Sequence, residues 1–185
     1  IKRVMEIGIG TGFLTSRLVT IWPEAEWFLN DIATSAGKYV AKYVAGADVD
    51  WLWGDAEEIG FPGDLDLVVS ASTVQWFDDM PAFVAKVTGA ISRGGWLAIT
   101  TFGPDNFCEI RATTGEGLDY LSKKELEEML LRTGYRILHS QEKTERWTFS
   151  KPVEVLHHIK ATGVNSIRKA RWGRQQLSQF SADYV

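Results

Sequence analysis

An acid followed by three glycines at alternate positions, Glu6-x-Gly8-x-Gly10-x-Gly12, stands in the stretch "VMEIGIGTGFLT". Glycines so spaced allow left-handed turns and leave no Cβ between the main chain and a ligand. A phosphate cradle and a turn for a small-molecule cofactor both use such a loop. A phosphate-binding loop needs Gly-Lys followed by Ser or Thr, which does not occur here. The dinucleotide fingerprint needs its third glycine three residues after the second, where Phe13 stands. What remains is an acid that favours an ammonium group, bare backbone for close approach, and a following helix N-terminus that can face a carboxylate. A sulfonium amino acid with free amine and carboxylate suits that set.

Two further acids extend the pattern. Asp31 closes "AEWFLND", 19 residues after Gly12, where a carboxylate can accept from both hydroxyls of a ribose. Asp55 in "GDAEE" can accept from an adenine amino group, while the next backbone N–H meets a ring nitrogen. Each has a plainer reading, Asp31 as a helix cap and Asp55 as a turn residue. All three acids nevertheless fall at the ends of successive apolar runs, and ligands bind at the carboxyl edge of an open parallel sheet.

The elements that must position these acids follow from the patterning. "RVMEIGI", "AEWFLND", "VDWLWGDAEE", "LDLVVSAST" and "GGWLAITTF" read as strands, the last entered through Gly94 and Gly95. Helical stretches separate them. "TGFLTSRLVTIWP" puts Phe13, Leu14, Leu18 and Ile21 on one face before Pro23; "SAGKYVAKYVA" and "MPAFVAKVTGAI" follow the second and fourth strands. Alternating strand and helix predicts an α/β fold, a doubly wound, mostly parallel sheet with strand 1 central. "SKKELEEMLLRTG" reads as a helix with Ser122 and Glu125 as a capping box and Gly134 as its stop. "YRILHSQEKTERWTFS" reads as one long strand or two. "SKPVEVLHHIKATG" reads as a helix capped by Ser150, with Pro152 in its first turn and Gly163 at its end.

The 185 residues make one domain's worth of chain, here predicted as a single domain with a cofactor half over 1–103 and a substrate-side half over 104–185. Hydrophobic residues at 45% and charged residues at 24% fit a soluble globular chain, and no apolar run suits a membrane span. Cys108 is the sole cysteine, which excludes an internal disulfide and points to a reducing cytoplasm. His139, His157 and His158 show no metal-ligand spacing, so no metal is expected. Residues 1–150 carry a net charge of −8, whereas the last 35 carry +4, with Arg168, Lys169, Arg171 and Arg174 close together. The tail is a solvated helix or a docking surface for an acidic partner. No Asn-Pro-Pro-Tyr motif follows the fourth strand, where "SAST" stands, and with the acidic body this argues against nucleic acid. Ile1 lies just before a strand, so a preceding segment is expected to be missing from this sequence.

The Glu-x-Gly-x-Gly-x-Gly turn, Asp31 and "GDAEE" resemble the class I S-adenosylmethionine-dependent methyltransferases, whose fold is Rossmann-like. "SASTVQWF", "GGWLAITTFGPDNFCEIR", "YLSKKELEEML" and "VLHHIKATGVN" resemble in particular the malonyl-acyl-carrier-protein O-methyltransferases of biotin synthesis, over nearly the whole chain. The resemblance implies S-adenosylmethionine as cofactor, held by Glu6, Gly8, Gly10, Gly12, Asp31, Ile32, Asp55, Ala56 and Ser70. It also implies methyl transfer to the free carboxylate of a malonyl thioester on acyl carrier protein or coenzyme A. Gln75 and Trp76 would wall the pocket. Arg111 would pair with the carboxylate, or else form a surface ion pair with Glu109 or Glu116. Trp147 and Phe149 would roof the pocket, or else form one core face of a strand. Lys160 lies on the matching helix end. A carboxylate is already ionised near neutral pH, so no general base is expected. A sixth strand antiparallel to the others is implied, while the family's N-terminal cover helix and last strand are expected to be absent. The glycine turn is therefore expected to lie open to solvent.

Overall fold

The computed structural model describes residues 1–115, 117–161 and 174–184. Its strands are β1 (Arg3–Ile7), β2 (Glu26–Asp31), β3 (Asp48–Trp53), β4 (Leu65–Ala71) and β5 (Ile91–Thr100). Its helices are α1 (Thr15–Ile21), α2 (Gly37–Val40), α3 (Met80–Ala90), α4 (Cys108–Thr114), α5 (Lys123–Arg132), α6 (Pro152–Ala161) and α7 (Arg174–Asp183). The chain forms two compact units, one of residues 1–102 and 124–137, the other of residues 103–123 and 138–185.

The first unit holds the sheet. Its order is β3-β2-β1-β4-β5, parallel at every pairing, so β1 is central. Successive side chains of a strand face opposite sides, and in β1 both Val4 and Glu6 on one side and Met5 and Ile7 on the other are buried. A strand buried on both faces needs cover on both, which is the doubly wound arrangement. On the Val4 face, Trp27, Leu29, Leu67 and Val69 pack with Leu14, Leu18, Val19 and Trp22. The helix α3 buries Met80, Phe83, Val84, Val87 and Ala90, a stripe at helical spacing. Its start is capped by the Asp79 carboxylate, which accepts from the Ala82 N–H at 2.9 Å.

Three local expectations are corrected. The buried face of α1 runs through Leu14, Leu18 and Trp22, whereas Phe13 and Ile21 are 73% and 60% exposed. The helix starts only at Thr15, after the glycine turn has set its direction, so Phe13 falls outside its period. Strand β5 begins at Ile91 rather than at Gly94, and its register against β4 shifts between Leu65 and Leu67. Gly94, at φ +86°, sits inside that irregularity. Residues 135–149 form no strand, so among the described residues the implied antiparallel sixth strand is absent from the sheet. The run from His139 to Arg146 is polar and exposed throughout, and offers no apolar face to bury.

The stop at Gly134 is as expected. It takes φ +95°, and the N–H groups of Gly134 and Tyr135 return to the carbonyls of Leu131 and Leu130.

The regular structure of the second unit is helical among its described residues. Helix α6 starts at Pro152, and the Glu154 carboxylate reaches back to the N–H groups of Ser150 and Lys151 at 3.0 and 3.3 Å. Phe180 of α7 is buried and its ring lies 5.0 Å from that of Tyr184. Gly163 lies outside the described residues.

Candidate cofactor site

The glycines of the turn all take positive φ, +74°, +51° and +80° at Gly8, Gly10 and Gly12, which only glycine adopts without strain. Their surroundings differ. A Cβ on Gly8 would lie 2.0 Å from Oγ1 of Thr73, and one on Gly12 would lie 2.9 Å from Cγ2 of Val40. Gly10 alone faces open space. Two glycines thus make room for the protein's own side chains and one leaves room for a ligand. The expectation of an open turn holds at Gly10 and Thr11, which are exposed, but Gly12 is buried.

The turn is tied to the ends of β2 and β3. The N–H groups of Gly8 and Ile9 donate to the Asn30 carbonyl at 2.9 and 3.0 Å. The buried Asn30 amide donates to the carbonyls of Leu52 and Gly54 at 2.7 and 2.9 Å. Asn30 was not among the candidate residues, though a polar residue inside "WFLND" is a visible signal. Next to it, Asp31 accepts from the Gly10 N–H at 2.9 Å through one oxygen and from the Ala33 N–H at 2.8 Å through the other. Each carboxylate oxygen has a second lone-pair site left for a hydroxyl donor. Asp31 therefore makes a local turn and aligns the glycine loop with the same group. Ile32, beside it, is 74% exposed.

Glu6 is 2% exposed, and its Oε2 has no hydrogen-bond partner among the described residues. Burial pushes its carboxyl up to about 7; the hydroxyl and backbone N–H of Thr15 offset part of this. Oγ1 of Thr15 lies outside good hydrogen-bond geometry and is itself unpartnered. A cavity of about 240 Å³ opens here, lined by Glu6, residues 8–11, Phe13, Leu14, Ala71 and Ser72. A buried carboxyl with an orphaned oxygen, facing a cavity beside an open glycine, fits the ammonium of an amino-acid ligand.

The remaining candidates occupy distinct positions. Asp55 accepts from the Glu57 N–H at 2.9 Å, an Asx turn just past β3, and Ala56 is buried. Ser70 is buried within the sheet, its hydroxyl donating to the Ile7 carbonyl at 3.1 Å. Ser72, two residues on, lines the cavity and takes φ +55°. Gln75 donates to the Ser72 carbonyl at 2.7 Å and accepts from the Thr101 hydroxyl at 3.4 Å. Trp76 beside it is partly buried. Glu6, Gly8, Gly10, Gly12, Asp31, Ser70, Gln75 and Trp76 thus all belong to the first unit, as do Ile32, Asp55 and Ala56.

Arg111, Phe149 and Lys160 belong to the second unit. The Arg111 guanidinium donates to the Leu118 carbonyl and to the Asp119 carboxylate, the latter at 3.4 Å, so its acid among the described residues is Asp119 rather than Glu109. Glu116 lies outside the described residues. Trp147 stacks on His158 at 5.0 Å and Phe149 tilts against the same ring at 5.4 Å, a cluster with α6 and not a strand face. Lys160 is exposed near the end of α6. Arg168, Lys169 and Arg171 lie outside the described residues. Among the described residues no group of His, Cys, Asp or Glu is arranged to hold a metal, and no helix is long and apolar enough to cross a membrane.

The family model for a methyltransferase domain matches residues 4–95, from β1 through Gly95. A solved S-adenosylmethionine-dependent methyltransferase from Aquifex aeolicus aligns over 73% of this chain and 72% of its own, with a TM-score of 0.57. At 18% identity that likeness shows the fold. The malonyl-[acyl-carrier protein] O-methyltransferase of Bacteroides fragilis is 35% identical across 100% of this chain, which spans 37% of that protein. The enzyme of the same name from Acinetobacter baylyi is 32% identical, again across 100% of this chain, which spans 72% of that relative. With a class I methyltransferase sheet, an acid–glycine turn at its carboxyl edge and identity of this extent, the chain belongs to the malonyl-[acyl-carrier protein] O-methyltransferase family.

Proposed function

We propose that this chain holds S-adenosylmethionine along the ends of β1, β2 and β3 and methylates the free carboxylate of a malonyl thioester carried on acyl carrier protein. The cytoplasm is the compartment that suits a chain with one cysteine, and biotin synthesis is the context that the family resemblance supplies. The observation that carries the reading is the orphaned Glu6 oxygen beside Gly10, with Asp31 bonded to that same turn. Bound there, the sulfonium supplies an electrophilic methyl group.

The chain's own part is to bind, align and exclude water. Glu6 receives the ammonium, and the about 240 Å³ cavity is of a size for the amino-acid moiety. Asp31 receives the ribose hydroxyls, with Ile32 as an apolar contact, Asp55 as acceptor for the adenine amine and the Ala56 N–H as donor to a ring nitrogen. The nucleophile is ionised before it arrives, so transfer needs oxygen, methyl and sulfur in line and water kept out. Gln75 and Trp76 are suited to that wall. In this reading residues 1–103 are the cofactor half, and Arg111, Phe149 and Lys160 are the further candidates for binding the acceptor.

The test is to give the intact protein isotopically labelled S-adenosylmethionine with malonyl carrier protein and to look for a malonyl methyl ester by mass spectrometry. Labelled ester on the carrier is the expected product. Methylation of a free dicarboxylate alone would make this an enzyme for another small acid, and cofactor binding with no product would make it a scaffold. Reversing Arg168 and Arg171 to Glu is expected to raise KM for the carrier-bound substrate severalfold, an effect that salt shrinks, while a short malonyl thioester is turned over as before.

A further inference from the structure

The Asp55 turn fixes its own side chain locally, but Oδ1 bonded to the Glu57 N–H two residues on does not fix the loop against the fold. Two other groups do. The Lys86 ammonium, from the middle of α3, donates to the carbonyls of Ala56 and Glu57 at 2.9 and 3.0 Å. It also lies 4.5 Å from the centre of the Phe61 ring. The Glu57 carboxylate runs the other way, accepting from the N–H groups of Asp78 and Asp79 at 2.9 and 2.8 Å. These N–H groups lead into α3, where the helix dipole favours a negative charge. Asp79 and Lys86 are separated by two helical turns, about 10 Å. The loop is therefore held against α3 at two separated points, by carbonyls at one and by a carboxylate at the other.

We propose that Lys86 and Glu57 are positioning residues for base recognition, holding the Asp55–Glu57 loop so that Asp55 meets the 6-amino group of the purine. The proposal rests on the reading of Asp55 as the adenine acceptor. Neither residue touches the cofactor in this scheme. Lys86 is surrounded by Asp55, Glu57 and Glu58, whose charges raise its pKa while burial lowers it, with burial the larger effect. A cation with three acids nearby but bonded to two carbonyls serves the backbone of that loop more than any one ion pair.

A base-discrimination ratio separates positioning from mere support of the fold. Affinities of the intact protein for S-adenosylhomocysteine and for its 6-oxo analogue, S-inosylhomocysteine, would be measured by calorimetry. The oxo group turns a donor into an acceptor facing a carboxylate, so the wild type is expected to prefer the adenosyl ligand by about 10- to 100-fold. Asp55→Ala should remove most of that preference, the N–H after it still favouring an unprotonated ring nitrogen. Lys86→Met and Glu57→Gln should each shrink it about threefold or more, and Lys86→Arg, which keeps charge and donors, should retain most of it. A ratio unchanged in Lys86→Met and Glu57→Gln, with Asp55→Ala removing most of it, would overturn the positioning role and leave the Asp55 reading intact. A ratio unchanged in Asp55→Ala would overturn the Asp55 reading and the proposal with it. Thermal midpoints report folding, and if Lys86→Met does not fold, Glu57→Gln decides on the same ratio.

Discussion

Trp27 and Arg111 illustrate how differently the two units hold their side chains. Trp27 has no exposure and lies in a cluster drawn from four strands and the segments after β1 and β2. Arg111 is bonded to Leu118 and Asp119, within eight residues of itself. The contrast is general: the first unit buries most of the core, whereas in the second only Val155 and Phe180 are buried apolar residues among those described. Geometry set by many distant neighbours is stiff, and geometry set by near neighbours yields locally. The residues proposed to hold the cofactor sit in the stiff unit, where distant neighbours fix the turn.

The sharpest test of that contrast is truncation. Trp27→Ala should destabilise the protein by about 3–5 kcal/mol, read by urea denaturation, because the cavity left cannot collapse among strands. A loss under about 1 kcal/mol would mean that the first unit repacks as freely as a surface. The next effect is a dependence on pH. The Glu6 carboxyl is raised from 4.5 to about 7, so the fold favours its protonated form. The stability this gives the ligand-free protein is complete below pH 4.5 and is lost as pH rises through 7, by about 3 kcal/mol. Glu6→Gln should flatten that fall and be the more stable protein at pH 8, as thermal scans at pH 5 and 8 would show. Asp31→Ala comes third. It should weaken S-adenosylmethionine binding by about 1–3 kcal/mol, read by calorimetry on the intact protein, and unchanged affinity would remove Asp31 from the site. The smallest effect belongs to the second unit. Trp147 is 64% exposed, and Trp147→Ala should change unfolding free energy by about 0.5 kcal/mol or less.

The parts legible in the sequence were those where a local pattern and its purpose coincide. Five apolar runs became five strands, and the acids at the ends of the first three fell on one edge because parallel strands share a direction. The roles of the individual glycines were not legible. Whether Gly8 or Gly10 faces a ligand depends on Thr73, more than sixty residues away, and no spacing rule contains that. Lys86 and Glu57 were missed for the same reason, since their partners are backbone groups of another element. The one or two strands expected over 135–150 failed for the opposite reason. Trp147 and Phe149 suggested one core face of a strand, but the eight polar residues between Leu138 and Trp147 give a sheet nothing to cover.

The central place of β1 has a consequence for how the protein is made. Its pairing with β2 closes after about twenty residues of further synthesis, but its other neighbour, β4, begins some sixty residues downstream. At about 5–20 residues per second, the ribosome takes roughly 3–12 s to deliver that second neighbour. Throughout that interval one full edge of an apolar strand is unpaired, a template for any other extended chain within reach. The strand that anchors the finished sheet is thus the one whose nascent form most needs shelter.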